Sequence, residues 1–494
     1  MKSTRYLHRL FQVRFGLGLV AALALAGCGG SGGGPGAPVP VTVGGTVSGL
    51  TGGGLVLQST GATDLAVNAN GSFTLTAPYL SGTSYGVTVK TQPSVPAQTC
   101  TVLNGSGTVA TNNVNNIAVS CELNTIGFAY VANQGGSDVS NFGNVSVFGI
   151  MSTGALEARG AVASGDGVTA PGPTSVAVNP AGTFVYVANN GIKSTTTNGS
   201  VSAYRVNTST GALTPISGSP FPAGLHSNAV TVDPTGHFVY VTNSGDGLTN
   251  GTLSAYTVNP GTGALTAAGN PVATGLNPST VTVGASGRFV YVGNTGSASV
   301  SAYNINATTG VLTELAGSPY ATGEAPLSAP VSISIDPSGR FGYVANNNSA
   351  NISAFTIDAN GVLTTLGAAS GAGVYPLAVT VDAAGKFAYV TNAGPADDPN
   401  APSKTFSHSE LSVYEIASGA LSAAPKGVLA TGALPTSVNI DPSGRFVYVT
   451  SLANGNGNVL AYNINPANGL LTAMVGGQFS AGSGAYAMTT TRKP

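Results

Sequence analysis

An all-β protein, a seven-bladed β-propeller preceded by a small immunoglobulin-like β-sandwich, is what the sequence predicts, on three observations. Only 7% of the 494 residues are charged, while 71 are Gly and 29 are Pro, which excludes charged helical bundles and coiled coils. Val, Thr, Tyr and Phe are plentiful, and after residue 30 almost no stretch carries a helical apolar stripe. Third, the motif F-x-Y-V-x-N recurs seven times, from Phe128, Phe184, Phe238, Phe289, Phe341, Phe387 and Phe446, 46 to 59 residues apart. Its last copy ends in Ser451 where the other six end in Asn.

Along the chain, Lys2, Arg5, Arg9 and Arg14 precede an apolar run over residues 15–26, too short to stay in a bilayer as a permanent helix, so it reads as an export signal. The run ends in Leu25-Ala26-Gly27-Cys28, which resembles the lipobox of bacterial lipoproteins. That resemblance implies cleavage of residues 1–27, acyl chains on Cys28 and, with Gly29 next, sorting to the outer membrane, on its periplasmic or exposed side. Residues 28–38 form a Gly-rich tether. Residues 39–124 contain short alternating runs broken by turn signals such as Asn70-Gly71 and Asn104-Gly105, and read as the sandwich. It holds the two other cysteines, Cys100 and Cys121, which are expected to pair in an exported chain and to stabilise the fold by about 3 kcal/mol. No catalytic grouping stands out there, and the domain reads as a spacer.

Residues 125–494 are the repeat. Each F-x-Y-V copy is followed by a second run such as SVSAYRV from Ser200 or NVLAYNI from Asn458, and then by a Gly-Ala/Val/Leu-Leu element starting at Gly154, Gly211, Gly263, Gly310, Gly361, Gly419 and Gly469. A fourth run, such as TSVAV from Thr174, precedes the motif. Four short strands at a period near 50 are the pattern of propeller blades, whereas leucine-rich and β-helical repeats are about half as long. The first repeat begins at Ile126-Gly127-Phe128 without its inner strand, and Ala485-Tyr486-Ala487-Met488-Thr489 is spare. The C-terminal strand is therefore expected to complete the first blade, so that no edge stays open.

With Tyr240-Val241-Thr242-Asn243 and Tyr389-Val390-Thr391-Asn392, the repeat resembles the lactonase-type seven-bladed propeller family. That family includes 6-phosphogluconolactonases and a lactone-forming muconate cycloisomerase. The resemblance implies a His just before an inner strand and an acidic residue after the next strand. His226, in Gly224-Leu225-His226-Ser227, stands at the first place; Asn243-Ser244-Gly245 occupies the second, without a carboxylate.

A site is expected on the face formed by the second-to-third-strand loops and the connections between blades. His226 and His408 are the candidate general bases there, and His408 ends the longest and most charged loop, 393–409. Asn243, Glu324, Asp397, Asp398 and Lys404 are the candidate ligand contacts, although the repetition of the strand-end Asn points first to a repeated structural task. On the opposite face, Asp233-Pro234-Thr235-Gly236, Asp336-Pro337-Ser338-Gly339 and Asp441-Pro442-Ser443-Gly444 are turn sequences whose carboxylates are expected to bind their own backbone, and Arg288, Arg340 and Arg445 follow them in one structural position. The loop face has no Arg, only Lys193 and Lys404, which disfavours a phosphorylated substrate. No Cys/His pair or calcium loop has ligand spacing, so no metal or cofactor is expected. Without a basic run after residue 15, neither is nucleic acid. Two readings follow. In the first, a lipid-anchored, monomeric binding scaffold presents this face to a protein, glycan or small-molecule ligand; in the second, a lactone hydrolase uses a His base on a neutral lactone.

Overall fold

The computed structural model describes residues 40–94, 97–135, 143–165, 172–191, 198–323, 328–395, 408–432, 434–452 and 456–494. The chain forms two compact units, Met1–Val95 with Cys100–Cys121, and Pro96–Thr99 with Glu122–Pro494.

In the first unit two four-stranded sheets enclose one core. One sheet runs in the order Gly71–Thr74, Val43–Ser48, Val114–Leu123, Gln98–Leu103, with the middle pair parallel, and the other Leu65–Val67, Leu55–Ser59, Ser84–Thr91, Ser106–Thr108. Period-two alternation sends Val43, Val47, Ile117 and Val119 inward from one sheet to meet Leu55, Leu57, Tyr85 and Val87 from the other. The Cys100–Cys121 disulfide is formed, between neighbouring strands of the first sheet.

The second unit is a propeller of seven blades. Blade 1 consists of Ala485–Arg492, Thr125–Asn133, Asn144–Met151 and Leu156–Ala163 from the inside outward, so the spare C-terminal strand does complete it. Blades 2 to 7 begin with the inner strands Pro173–Val178, Ser227–Val232, Pro278–Val283, Pro330–Ile335, Pro376–Val381 and Pro435–Ile440. These seven inner strands neighbour one another around a closed ring. In blades 2 to 6 the outer strand, expected as one element, is broken into two short pieces on the same third strand, for example Leu213–Pro215 and Phe221–Leu225 in blade 2.

The motif strands show why the sequence repeats as it does. Phe184–Asn189, Phe238–Asn243, Phe289–Asn294, Phe387–Asn392 and Phe446–Ser451 are buried at every residue, because each is covered by a blade on both faces and so carries a continuous apolar run rather than an alternation. Each motif Tyr hydroxyl donates to the carbonyl of the Gly that opens the outer strand of the next blade: Tyr130 to Gly211, Tyr186 to Gly263, Tyr240 to Gly310, Tyr291 to Gly361, Tyr343 to Gly419 and Tyr389 to Gly469, over 2.9–3.5 Å. Tyr448 closes the cycle on Gly154 of blade 1 at 2.7 Å. A Cβ on Gly211 would lie 2.4 Å from the Phe128 ring, and its φ is +78°, so the motif Phe and the turn Gly are two halves of one contact.

Lys and Arg finish the same contact from outside. Arg159, Arg205, Arg288, Arg340, Lys426 and Arg445 lie over the rings of Phe128, Phe184, Phe289, Phe341, Phe387 and Phe446, at 4.9–5.7 Å from the centroid. The turn carboxylates bind backbone: Asp233 Oδ1 accepts from the Phe238 N–H at 2.7 Å, and Asp441 Oδ1 from the Arg445 and Phe446 N–H groups at 2.8 Å.

Candidate functional site

The loop face is built from the ends of the motif strands and the starts of the inner strands. The six strand-end Asn residues are buried, at 1% exposure or less. Each amide reaches a Ser on the third strand of its own blade: Asn133 to Ser146, Asn189 to Ser202, Asn243 to Ser254, Asn294 to Ser301, Asn346 to Ser353 and Asn392 to Ser412, over 2.7–3.1 Å. Asn243 Oδ1 accepts from the Gly224 N–H of the preceding blade at 3.0 Å and from the Ser227 hydroxyl at 2.9 Å. The structure thus places Asn243 in a blade-joining network and not on the open face.

His226 stands where the sequence puts it, immediately before the inner strand Ser227–Val232 of blade 3. Its φ is +55°, shared by Asn277 (+52°), Ala329 (+43°), Tyr375 (+55°) and Leu434 (+45°), each at the same point before its own inner strand. The left-handed turn lets the His226 carbonyl accept from the Ser244 N–H at 3.0 Å, which ties the motif strand's exit to the inner strand's entry. The imidazole turns the same way, with Nδ1 at 2.6 Å from the Gly245 carbonyl. A carbonyl only accepts, so Nδ1 carries the proton and, in the neutral ring, Nε2 is left with the lone pair. Nε2 is buried and has no hydrogen-bond partner among the described residues. The Gly245 carbonyl therefore fixes the orientation of the ring.

A second buried acceptor without a partner is joined to the same inner strand through Asn228. Asn190, the residue after the blade 2 strand-end Asn, donates its amide to Asn228 Oδ1, and Asn228 Nδ2 reaches the Pro278 carbonyl at 3.3 Å. Asn190 Oδ1 is buried without a partner. Asn228 is two residues along from His226 at the head of the same inner strand, and Asn190 is tied to it from blade 2. The sequence reading missed Asn190 and Asn228. The only signal in it is that the position after the motif is polar in five copies, Gln134, Asn190, Ser244, Thr295 and Asn347.

His408 is exposed, in the turn that leads to the third strand Glu410–Ala417 of blade 6, three blades from His226. Glu324, Asp397, Asp398, Lys404, Lys193 and Cys28 lie outside the described residues. The exposed Asp246 follows the blade 3 motif, but its carboxylate accepts from the Leu248 and Thr249 N–H groups at 2.9 Å, which hold it below the usual carboxylate range and leave it a turn cap. The described Arg residues act elsewhere: five cover motif Phe rings, and Arg492 donates to the Pro442 carbonyl at 3.0 Å. Among the described residues no group of three or more His, Cys, Asp or Glu is placed to hold a metal ion.

Seven blades closed by the C-terminal strand, with a His at an inner-strand head, define a lactonase-like propeller. Residues 55–326 and 373–486 match the lactonase family of seven-bladed β-propellers, and the chain belongs to that family. Among solved structures it is similar to a periplasmic gluconolactonase of Pseudomonas aeruginosa, with 19% identity, a TM-score of 0.59 and coverage of 75% of this chain and 100% of that one. A candidate 6-phosphogluconolactonase of Bacteroides uniformis is 16% identical with a TM-score of 0.60, covering 74% of this chain and 100% of that one. A Lactobacillus plantarum protein is 19% identical with a TM-score of 0.55, covering 74% and 99%. No curated protein matches the chain.

Proposed function

We propose that this protein hydrolyses an unphosphorylated lactone, with His226 as the general base. The observation that carries the reading is the fixed imidazole: Nδ1–H held by the Gly245 carbonyl, Nε2 unpartnered. In the reaction, once the loops over the buried Nε2 open to admit water and lactone, Nε2 takes a proton from water as the water oxygen bonds to the lactone carbonyl carbon. The tetrahedral adduct then expels the ring oxygen, which recovers that proton and leaves a hydroxy acid. The absence of an uncommitted Arg among the described residues favours a substrate without phosphate.

The test is turnover of glucono-δ-lactone and of its 6-phosphate by the full chain and by His226→Ala, His226→Gln and His408→Ala. Turnover of the unphosphorylated lactone that falls about 100-fold or more in both His226 variants and persists in His408→Ala is expected. Hydrolysis no faster than in buffer refutes the reading and leaves the disc as a binding scaffold; hydrolysis unchanged by His226→Ala refutes His226 as the base.

A further inference from the structure

The inner strands carry a second repeat, and it faces the axis of the disc. Their fifth residues are Ala177, Thr231, Thr282, Ser334, Thr380, Asn439 and Thr489, so six of the seven are polar. None of these six side chains makes a hydrogen bond among the described residues, and all six are half-exposed. The motif strands just outside them are buried almost throughout, so the solvent that reaches the inner strands comes from the channel along the axis. Each inner strand pairs only with its motif strand, which leaves its other edge to that channel. On this edge the Val230 N–H donates to Ser175 Oγ at 3.1 Å and the Val379 N–H to Ser332 Oγ at 3.2 Å. Ser175 and Ser332 are third residues of the preceding inner strands. Side chains alternate along a strand, so the fifth residues share their face and form a polar ring on the channel wall. The next residues, Val178, Val232, Val283, Ile335, Val381 and Ile440, are apolar, with Thr490 as the seventh.

At the turn-face end of the channel lies a cavity of about 410 Å³, lined by Val178 and Val232 from blades 2 and 3, Thr489 and Thr490 from blade 1, and Pro442 from blade 7. The volume is that of a small-molecule site. Most polar groups around it are committed. Thr490 donates to the Ile440 carbonyl at 3.0 Å, Thr491 to the Arg492 carbonyl at 3.2 Å and Arg492 to the Pro442 carbonyl at 3.0 Å, while Asn179 Oδ1 accepts from the Phe184 N–H at 2.9 Å. Thr489, the ring member in the cavity, has no partner among the described residues. A hydroxyl both donates and accepts, whereas an ion entering an uncharged ring would give up hydration without a counter-charge. We propose that this end of the channel binds a small uncharged polyol, whose hydroxyls exchange hydrogen bonds with Thr489 and its neighbour in the ring, Thr231, while its C–H faces rest on Val178 and Val232. The site lies on the face opposite His226 and stands whether or not the protein is a hydrolase.

Sorbitol is the probe, titrated into the full chain and followed by saturation-transfer NMR, with 1,6-hexanediol as a six-carbon control that lacks four of the hydroxyls. Saturable sorbitol binding is expected, with hexanediol about tenfold weaker or more. Thr489→Val and Thr231→Val keep the shape of the side chain and should each weaken sorbitol about fivefold, the loss of one hydrogen bond, whereas Thr231→Ser keeps the hydroxyl and should stay within about twofold of the wild type. Absence of saturable sorbitol binding overturns the proposal, as does hexanediol binding equally well. Binding that both Val variants leave unchanged, or that His226→Ala alone removes, overturns it too.

Discussion

Each motif Tyr holds two blades together through one hydroxyl, and its burial sets how the protein answers to alkali. Desolvation raises the tyrosines of the motif and third strands above their ordinary value of 10.0, with Tyr256, Tyr303, Tyr414 and Tyr462 pushed up to about 12 and the motif tyrosines higher still. A folded-state pKa above the unfolded one means that, past pH 10, the unfolded chain loses its tyrosyl protons first. The stability these residues contribute is whole below pH 10 and is lost as the pH climbs toward 12 and beyond. Tyrosinate absorbance and circular dichroism followed together should show the motif and third-strand tyrosines ionising only as the sheet signal collapses. Ionisation well before collapse would mean that the hydroxyls are not shielded as described.

At the scale of the element, the unit that repeats is the contact between a motif strand and the turn of the next blade. Gly211→Ala tests it, because the added Cβ meets the Phe128 ring and the backbone is left-handed at φ +78°. A loss of about 2 kcal/mol or more is expected in denaturant unfolding, against less than half of that for Gly367→Ala, which is also left-handed (φ +72°) but has nothing within 4 Å. This contact explains what was legible in the sequence. Phe, Tyr and Gly recur because each makes the same bond in every blade, so counting them counts blades. The strand-end Asn was legible in the same way, and its amide does perform one repeated task. The cationic caps were only half legible, since Arg288, Arg340 and Arg445 share a sequence position, whereas Arg159, Arg205 and Lys426 reach their Phe rings from other positions in the repeat. The site was harder still. His226 could be placed by its position before a strand, but the partners of Asn190 and Asn228 come from adjacent blades, and no spacing within one repeat encodes that.

For the whole molecule, closure rests on Ala485–Arg492, which pairs with Thr125–Asn133 along its length. Removing residues 485–494 exposes Phe128, Tyr130 and Ala132, all 0% exposed in the intact protein, on an unpaired edge. The truncated chain is expected to aggregate or to melt far below the full chain, as read by light scattering and calorimetry. A truncated chain that stays monomeric with an unchanged melt would mean that the ring does not depend on this strand.

The same pairing also orders events in time. Ser146 bonds the Ala481 carbonyl across 335 residues, and the first-made strands of the disc receive their inner neighbour only from Ala485–Arg492, made after all the other blades. During synthesis the chain must therefore carry an almost wholly apolar ribbon, Thr125–Asn133, in waiting until Ala485–Arg492 emerges, and slow, long-range closure of this kind leaves it open to wrong partners. Whatever shelters that ribbon in the interval is as much a requirement of this architecture as any bond in the finished ring.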